Sequence, residues 1–136
     1  TGVQTCALPI SEPDVHDPNF TISVNDLSKF LRVLYNSTYL NNENSEYAMS
    51  LLVKSSFTKG IVSGLPPNIV VAHKFGETGN GVEAQLHETG IVYYDDQPYL
   101  ITIMTKGKSV QRLLEVLSDL SKITYDNLSK KDLSMR

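Results

Sequence analysis

A lysine, a phenylalanine and a glycine follow one another at Lys74-Phe75-Gly76, directly after His73 at the end of a short apolar run. The run, residues 69–72 (IVVA), is rich in β-branched side chains and favours a strand. A lysine held at a strand end supplies a positive field for a carboxylate, and an adjacent glycine lets a ligand approach the backbone closely. A backbone N–H of such a strand can donate to a developing oxyanion, which is worth about 2.7–4 kcal/mol in other acyl-transfer enzymes. These residue types therefore suit the binding of a substrate carboxylate close to the backbone.

The histidines and glutamates near this element are weaker candidates for chemistry. His73 and His87 lie in predicted strands without a second ligand at metal-binding spacing, so we expect structural or surface roles and no metal. Glu77 and Glu88 could act as an acid–base pair only if folding brings their strands together. Because Glu88 directly follows His87 in a predicted strand, their side chains should point to opposite faces.

Two helices are predicted before the apolar run. Ser23, with Asp26 three residues later, forms a variant of the capping box at the start of the first helix. The polar residues 36–44 interrupt this helix, and we expect Ser45 to cap the second one. The expected buried residues are Leu27, Phe30, Leu31, Leu34 and Tyr35 in the first helix, and Ala48, Met49, Leu52 and Val53 in the second.

The rest of the chain has the pattern of strands followed by one helix. We expect residues 73–76 to close the first strand and residues 77–81 (ETGNG) to form a glycine-rich loop. Residues 86–94 and 99–105 are predicted strands joined by a short turn, as in an antiparallel hairpin. Ser109 should cap the last helix, and the polar end from residue 129 (SKKDLSMR) should fray. The expected buried residues of that helix are Val110, Leu113, Leu114, Leu117 and Leu120.

The order of these elements is helix, helix, strand, strand, strand, helix. It predicts an α+β fold in which an antiparallel sheet of three strands is flanked by helices. The continuous apolar run at residues 69–72 is typical of a strand buried on both faces. We therefore expect the sheet to lie between two helical layers.

Residues 69–107 resemble the third active-site element of the penicillin-recognising serine hydrolases, the class A β-lactamases and related D-alanyl-D-alanine peptidases. The signature set of that family is S-x-x-K, S-D-N and K-T-G, and Lys74-Phe75-Gly76 resembles K-T-G. It lies, as in the family, at the end of an apolar strand that follows a Leu-Pro turn. A loop, a hairpin and an amphipathic helix come next, with Gly90 and Lys106-Gly107 in place. The resemblance extends from about residue 23 to residue 120 and implies part of a three-layer α/β/α sandwich.

The resemblance also implies roles for the residues of this element. Lys74, Gly76 and Glu77 would be catalytic, through the lysine charge, the glycine clearance and a Glu77 N–H directed at the oxyanion. Lys74, Phe75, Glu77 and Thr78 would contact the substrate. The family usually has Thr or Ser at the position of Phe75, whose ring cannot hydrogen-bond a substrate carboxylate, which argues against ordinary β-lactam or D-Ala-D-Ala recognition. The alternative is that Lys74 is a strand-end lysine in water and Phe75 a core residue.

The nucleophile of the family is not evident in this chain. The one S-x-x-K match is Ser56-Phe57-Thr58-Lys59, close before Lys74, whereas the family's nucleophile lies far upstream. The Ser-x-Asn match Ser23-Val24-Asn25 precedes it, which inverts the family order. We interpret Ser56 as a helix C-terminal residue and Ser23 as a cap. The serine, its lysine and any loop glutamate are expected upstream of Ser11.

Composition limits the possible functions. The 136 residues suit one domain, and a hydrophobic share of 40% allows a packed core. With 12 basic and 15 acidic residues and a net charge of -3, the chain does not have the basic excess of nucleic-acid binders. No apolar run is long enough for a membrane span, and no signal peptide is visible. We expect no cofactor.

We expect three regions along the chain. Residues 1–10 (TGVQTCALPI) resemble translated sequencing adapter and are interpreted as a non-native leader. They contain the single cysteine, Cys6, so no internal disulfide can form. Residues 11–128 would be the C-terminal portion of the hydrolase domain, and residues 129–136 a polar tail. The family resemblance implies a cell-envelope, periplasmic or secreted protein.

Two functions stay open. The first is a truncated class A β-lactamase-like serine hydrolase that acts through an acyl-enzyme on β-lactams or peptidoglycan D-Ala-D-Ala peptides, and that is inactive without its missing serine. The loop carboxylate that separates a lactamase from a D,D-peptidase would lie outside this chain. The alternative is a non-catalytic α+β binding or interaction domain. A sheet surface left bare in such a fragment would favour self-association.

Overall fold

The computed structural model describes residues 21–79 and 82–135. The expected leader, the segment that follows it up to residue 20, and the last two residues of the expected glycine-rich loop lie outside this part. The elements run in the order helix α1 (Val24–Tyr35), helix α2 (Asn42–Val53), a 3-10 turn (Ile61–Gly64), strands β1 (Val70–Gly79), β2 (Ala84–Tyr93) and β3 (Tyr99–Gly107), and helix α3 (Val110–Met135). The predicted α+β order is confirmed.

The three strands form one antiparallel sheet in the order β1-β2-β3. The predicted hairpin of β2 and β3 is confirmed, and β1 pairs with the other side of β2. In this register Glu88 at the centre of β2 lies opposite Phe75 of β1 and Ile103 of β3. Within the described residues, β1 and β3 are therefore the edge strands.

Each face of the sheet is covered by a helical layer, as predicted. On one face Leu31 of α1 and Met49 of α2 pack against Ala72 and Ile91. The other face carries a larger core built with α3 and the 3-10 turn. That core contains Ile61, Val71, Leu86, Val92, Ile103, Leu113 and Leu117. The result is a three-layer α/β/α arrangement.

The predicted caps of α1 and α3 are confirmed. The Ser23 hydroxyl accepts a hydrogen bond from the Asp26 N–H at 3.1 Å and donates to the Asp26 carboxylate at 2.7 Å. The Ser109 hydroxyl accepts from the Arg112 N–H at 3.4 Å. These bonds satisfy backbone donors that a helix start leaves without partners.

The predicted start of α2 is wrong. The Asn41 side chain caps this helix by accepting from the Asn44 N–H at 2.8 Å, so α2 begins at Asn42. Asparagine is as good an N-cap as serine and comes earlier in the run. Ser45 instead lies inside the first turn, where it is buried.

The expected end of β1 is also wrong. Residues 73–76 do not close the strand, and Glu77, Thr78 and Gly79 continue it instead of starting a loop. Gly76 pairs with His87 and Gly79 with Ala84, so the ladder of β2 holds these glycines in extended conformation. Local glycine content suggested a loop, but cross-strand pairing decided the outcome.

Several residues expected in the core are exposed. The exposed fraction lies between 40% and 66% for Phe30, Tyr35, Val53 and Leu120. Ser121 is fully buried on the inner side of α3, where its hydroxyl donates to the Ile61 carbonyl at 2.8 Å.

Helix α3 also continues through the polar residues after 128 as far as Met135, so the expected fraying from residue 129 is wrong. None of the described helices is long and apolar enough to cross a membrane.

Tyr99, the first residue of β3, has a hydroxyl that is buried and that no donor or acceptor among the described residues reaches. Burial, with a smaller contribution from Tyr125, raises the pKa of Tyr99 to about 12. The folded protein thus favours the neutral phenol, since the phenolate would lose its hydration.

We predict that Leu117→Ala lowers the free energy of unfolding by about 2–5 kcal/mol, because it leaves a cavity at a fully buried position. Leu51→Ala is the matched control, since Leu51 is also helical but 49% exposed, and it should change stability by less than about 0.5 kcal/mol. Urea denaturation followed by circular dichroism measures both. Equal losses would contradict the assignment of the core.

We predict an alkaline loss of stability that depends on Tyr99. The raised pKa of Tyr99 makes a contribution to the free energy of unfolding that is fully present below pH 10.0, the ordinary pKa of tyrosine. This contribution disappears as the pH rises towards about 12. Tyr99→Phe should therefore flatten this decline, and at neutral pH it should leave stability unchanged or higher, because it removes an unpaired buried hydroxyl. Denaturant titrations over this pH range are the measurement. Tyr39→Phe, at an 83% exposed position, should reproduce the wild-type decline.

Candidate functional site

The second half of β1 is the exposed part of an edge strand. From Lys74 to Gly79 every residue is exposed except Phe75, which is half-buried. The first half, with Val71, Ala72 and His73, is buried. Because β1 pairs with β2 alone among the described residues, some of its N–H and C=O groups point to the other edge. Such N–H groups are the kind of donor that an oxyanion requires.

Lys74, Gly76 and Thr78 lie on the face of the sheet that α1 and α2 cover further back along the strand. Ala72 is on the same face and packs in the α1–α2 core. Past that point these helices do not reach, because a Cβ built on Gly76 would meet no atom of residues 21–79 or 82–135 within 4 Å. The structure therefore leaves open space directly beside Lys74.

The ammonium group of Lys74 stays close to the strand. Its Nζ donates a hydrogen bond to the Phe75 carbonyl at 2.6 Å and lies 5.2 Å from the centre of the Phe75 ring. The side chain is exposed, so its charge is available to a ligand in the open space.

Phe75 points to the opposite face of the sheet, towards the 3-10 turn and α3. Its ring stacks on that of Phe57, with centroids 3.9 Å apart and an angle of 15° between the planes. Both rings pack against the larger core. The phenylalanine thus joins β1 to the segment that precedes the 3-10 turn.

Glu77 lies on the same face as Phe75 and borders two cavities. One, of about 460 Å³, is also lined by Thr78, Gly79, Glu83, Ala84, Lys108 and Val110. The other, of about 340 Å³, is also lined by Ser56, Phe57, Thr58, Lys59, Phe75, Val110 and Leu114. The predicted site residues are therefore adjacent in the chain but divided between the two faces of one strand.

The S-x-x-K match does not lie on a helix. Helix α2 ends at Val53 with Lys54 as its C-cap, so Ser56 follows the helix. The interpretation of Ser56 as a helix C-terminal residue is therefore wrong. Ser56 and Lys59 nevertheless line the same cavity as Phe75. A helical turn would place the two side chains on one face, and this segment has no helical turn.

A buried pair next to the site was not predicted from the sequence. His73 and Glu88 are 2% and 0% exposed, and Nδ1 of the histidine lies 2.6 Å from Oε1 of the glutamate. The second oxygen, Oε2, accepts a hydrogen bond from the Ile61 N–H at 2.8 Å. Glu88 thereby ties β1, at the residue before Lys74, to the start of the 3-10 turn.

Gly60 leaves room for this carboxylate. A Cβ at position 60 would lie 1.9 Å from Oε2 of Glu88 and 2.9 Å from the Phe57 ring. Any larger residue would displace one of them. The segment before the 3-10 turn is therefore shaped around both the carboxylate and the stacked rings.

The remaining titratable candidates differ in burial and in direction. Glu77 is exposed and Glu88 is enclosed, so the two are not in equivalent surroundings. His87 points away from Glu88, as predicted, and its Nδ1 accepts from the Thr105 N–H at 3.2 Å. This bond requires the tautomer with the proton on Nε2, which then donates to the Gln85 carbonyl oxygen at 3.2 Å. Within residues 21–79 and 82–135, no three His, Cys, Asp or Glu side chains form a group that could hold a metal ion.

We predict that Glu88→Ala lowers the free energy of unfolding by about 3–5 kcal/mol, because it leaves the buried His73 ring and the Ile61 N–H without their partner. Glu88→Gln keeps the shape and one acceptor oxygen, and should cost less. Denaturant titration gives both values. The control Glu77→Ala, on the same face but exposed, should stay within about 0.5 kcal/mol of wild type. A loss as large in the control would show that Glu88 has no special part.

Several solved structures share this fold. The chromosome-encoded beta-lactamase of Vibrio parahaemolyticus superposes with a TM-score of 0.69 at 18% identity, covering 82% of this chain and 44% of that one. The beta-lactamase of Francisella tularensis gives 0.68 at 14% identity, with 80% and 42% covered. PBP-A gives 0.67 at 17% identity, with 78% and 39% covered. The chain thus spans about two fifths of the length of these structures.

The sequence matches a family model. No curated protein is similar enough to count as a relative. The model of the beta-lactamase enzyme family, however, matches residues 5–128, which include α1, α2, the whole sheet and most of α3. The predicted resemblance is confirmed, and on this match the chain belongs to the beta-lactamase enzyme family.

Proposed function

We propose that this chain is the C-terminal part of a class A β-lactamase-like serine hydrolase, and that the exposed half of β1 forms one wall of its active site. The observation that carries the proposal is the position of Lys74-Phe75-Gly76 on an edge strand with open space beside it, within a fold of this family. The serine nucleophile is contributed by a part of the protein outside this chain.

The reaction we assign to the intact protein is acyl transfer to that serine. Its oxygen attacks the carbonyl of a β-lactam or of a D-Ala-D-Ala peptide, the C–N bond breaks and an acyl ester forms, which water then hydrolyses. The Glu77 N–H donates to the oxyanion of the tetrahedral intermediate, and Gly76 provides clearance. In support, a variant of PBP-A, with a TM-score of 0.66 to this chain, has been solved as an acyl-enzyme complex with penicillin-G.

We assign the recognition of the substrate carboxylate to Lys74. The neighbouring residue, Phe75, has no hydroxyl and is occupied by its stacking on Phe57. The lysine is exposed and faces the open side of the strand. Thr78 lies four residues after Lys74, on the same face of β1, and is exposed. We assign it to the substrate-binding surface.

Membership of the family supports the setting that we assign to the reaction. We assign the intact protein to the cell envelope, the periplasm or the outside of the cell, with a β-lactam or a peptidoglycan stem peptide as substrate. A lactamase and a D,D-peptidase would differ only in the group that activates the deacylating water. No nucleic acid and no cofactor enter the proposal.

The second candidate function is a non-catalytic binding or interaction domain. Two observations favour it: the aromatic stack that occupies Phe75, and the position of Ser56 and Lys59 outside any helix. The two functions differ in whether the protein with its upstream sequence becomes acylated.

We predict that this chain alone does not turn over a chromogenic cephalosporin, because its one S-x-x-K match, Ser56–Lys59, does not lie on a helix. The measurement is absorbance after incubation with the purified chain. Ser56→Ala is the informative variant, since Ser56 lines a cavity beside Phe75. Turnover by the wild-type chain that disappears in Ser56→Ala would place the nucleophile within this chain and overturn the proposal.

In the protein that carries the upstream sequence, we predict that Lys74→Ala slows acylation by a fluorescent penicillin about 10- to 100-fold, through the loss of a charge-assisted contact with the substrate. Lys54→Ala, which removes a lysine from the C-cap of α2, should leave the rate unchanged. Gel fluorescence against time gives the rates. Absence of any acylation would favour the interaction domain, and equal rates for both variants would remove Lys74 from the site.

A further inference from the structure

A groove opens between helices α1 and α2, at the end of the sheet opposite to the exposed half of β1. Its volume is about 800 Å³, which is within the range of pockets that hold small molecules. One wall is the end of α1 with the two residues after it, and the other wall is one side of α2. The floor between them consists of Val70, the first residue of β1, and Tyr93, the last residue of β2.

The groove is separate from the open space beside Lys74. Val70 and Lys74 point to the same face of β1, but they are four residues apart, which is about 13 Å along the strand. Ala72 lies between them and is fully buried in the core that α1 and α2 form on this face. A ligand in the groove therefore does not reach the proposed active site.

The polar side chains of the groove lack partners. Among the described residues, the side-chain amides of Asn36 and Asn42 and the hydroxyls of Tyr35 and Tyr93 make no hydrogen bond. The hydroxyl of Ser45 is also without a partner there, although this residue is only 2% exposed. Buried polar groups normally have a partner, and an atom of a ligand in the groove would supply it.

The charge around the groove favours a neutral ligand. Within residues 21–79 and 82–135, no lysine, arginine or histidine lines it, so no side chain there would attract a phosphate or a carboxylate. Glu46 is the one charged residue of this lining, and it is exposed. A cation is disfavoured because Asn42 and Ser45 lie at the start of α2, where the N–H groups carry a partial positive charge.

Two tyrosine rings give the groove an aromatic surface. The ring centroids of Tyr35 and Tyr93 are 6.4 Å apart, and the ring planes are tilted by 51°. The faces of such rings are negative and attract the weakly positive C–H groups of a sugar ring. Burial, with a smaller contribution from Tyr35, raises the pKa of Tyr93, so its hydroxyl stays protonated and can donate a hydrogen bond.

We propose that this groove binds an uncharged sugar that carries an acetamido group. Sugar hydroxyls both donate and accept hydrogen bonds, as the hydroxyls and amides of the groove do. The methyl of the acetamido group suits the aliphatic side chains of Met49, Val53 and Val70, and its amide suits Asn36 and Asn42. A plain hexose has no methyl and would leave the aliphatic part of the groove in contact with water.

Binding is tested by isothermal titration calorimetry of the 136-residue chain with tri-N-acetylchitotriose. We expect saturable binding that is at least about tenfold tighter than that of cellotriose, which has hydroxyl groups in place of the acetamido groups. Choline chloride is the cationic control and should not bind. No saturable binding of the chitotriose, equal affinity for cellotriose, or binding of choline at equal or higher affinity would each overturn the proposal.

Two variants locate the sugar. Ser45→Ala removes a hydroxyl without a partner, so stability in urea should be unchanged or higher, whereas the affinity for the chitotriose should fall about fivefold. Tyr35→Ala removes a ring face and should weaken binding about tenfold. Tyr47→Ala is the matched control, because Tyr47 is 65% exposed on α2 and does not line the groove, and it should bind as wild type.

Wild-type affinity of Ser45→Ala or of Tyr35→Ala would place the sugar elsewhere and overturn the proposal. The measurement is sugar binding by this chain alone, and no acylation enters it. The result is therefore independent of the proposed hydrolase function.

Discussion

The carboxylate of Glu88 connects the parts of the molecule that must stay in register. It lies at the centre of β2, fully enclosed, with one oxygen on His73 and the other on the Ile61 N–H. A buried carboxylate is costly unless both oxygens have partners, so the two contacts are needed together. Through them the sheet, the edge strand and the 3-10 turn hold one relative position, and the exposed half of β1 begins directly after the contact with His73.

Because side chains alternate between the two faces along β1, neighbouring residues of this strand have different surroundings. Lys74 and Gly76 point to the open side, whereas Phe75 points to the inner side and stacks on Phe57. Phe75 has no hydroxyl, and its ring uses the position for packing. The aromatic stack is thus a second attachment of the same strand, one residue beyond the lysine. The strand is thus anchored on one face, and the open space lies on the other.

The elements with strong local signals were predictable. The stripe of α1, the caps Ser23 and Ser109 and the hairpin followed from spacing and turn chemistry, and the order of elements led to the family. The end of β1 was not predictable, because its glycines favour a loop and only pairing with β2 keeps them extended. The His73–Glu88 contact depends on that register, so an incorrect strand end concealed it. Exposed apolar residues such as Phe30 and Leu120 were misassigned because a periodic stripe does not tell how far a neighbouring layer extends.

The close fit between Gly60 and Glu88 links two positions that are far apart in the chain. The space that a methyl group would need at position 60 is already filled by the carboxylate. Loss of the acid would leave a void and a free N–H, and loss of the glycine would expel the acid. Each change is harmful alone, and a side chain added at position 60 would fill the void that loss of the acid leaves. Substitutions at these two positions should therefore be correlated. We expect this covariation among proteins that share the fold.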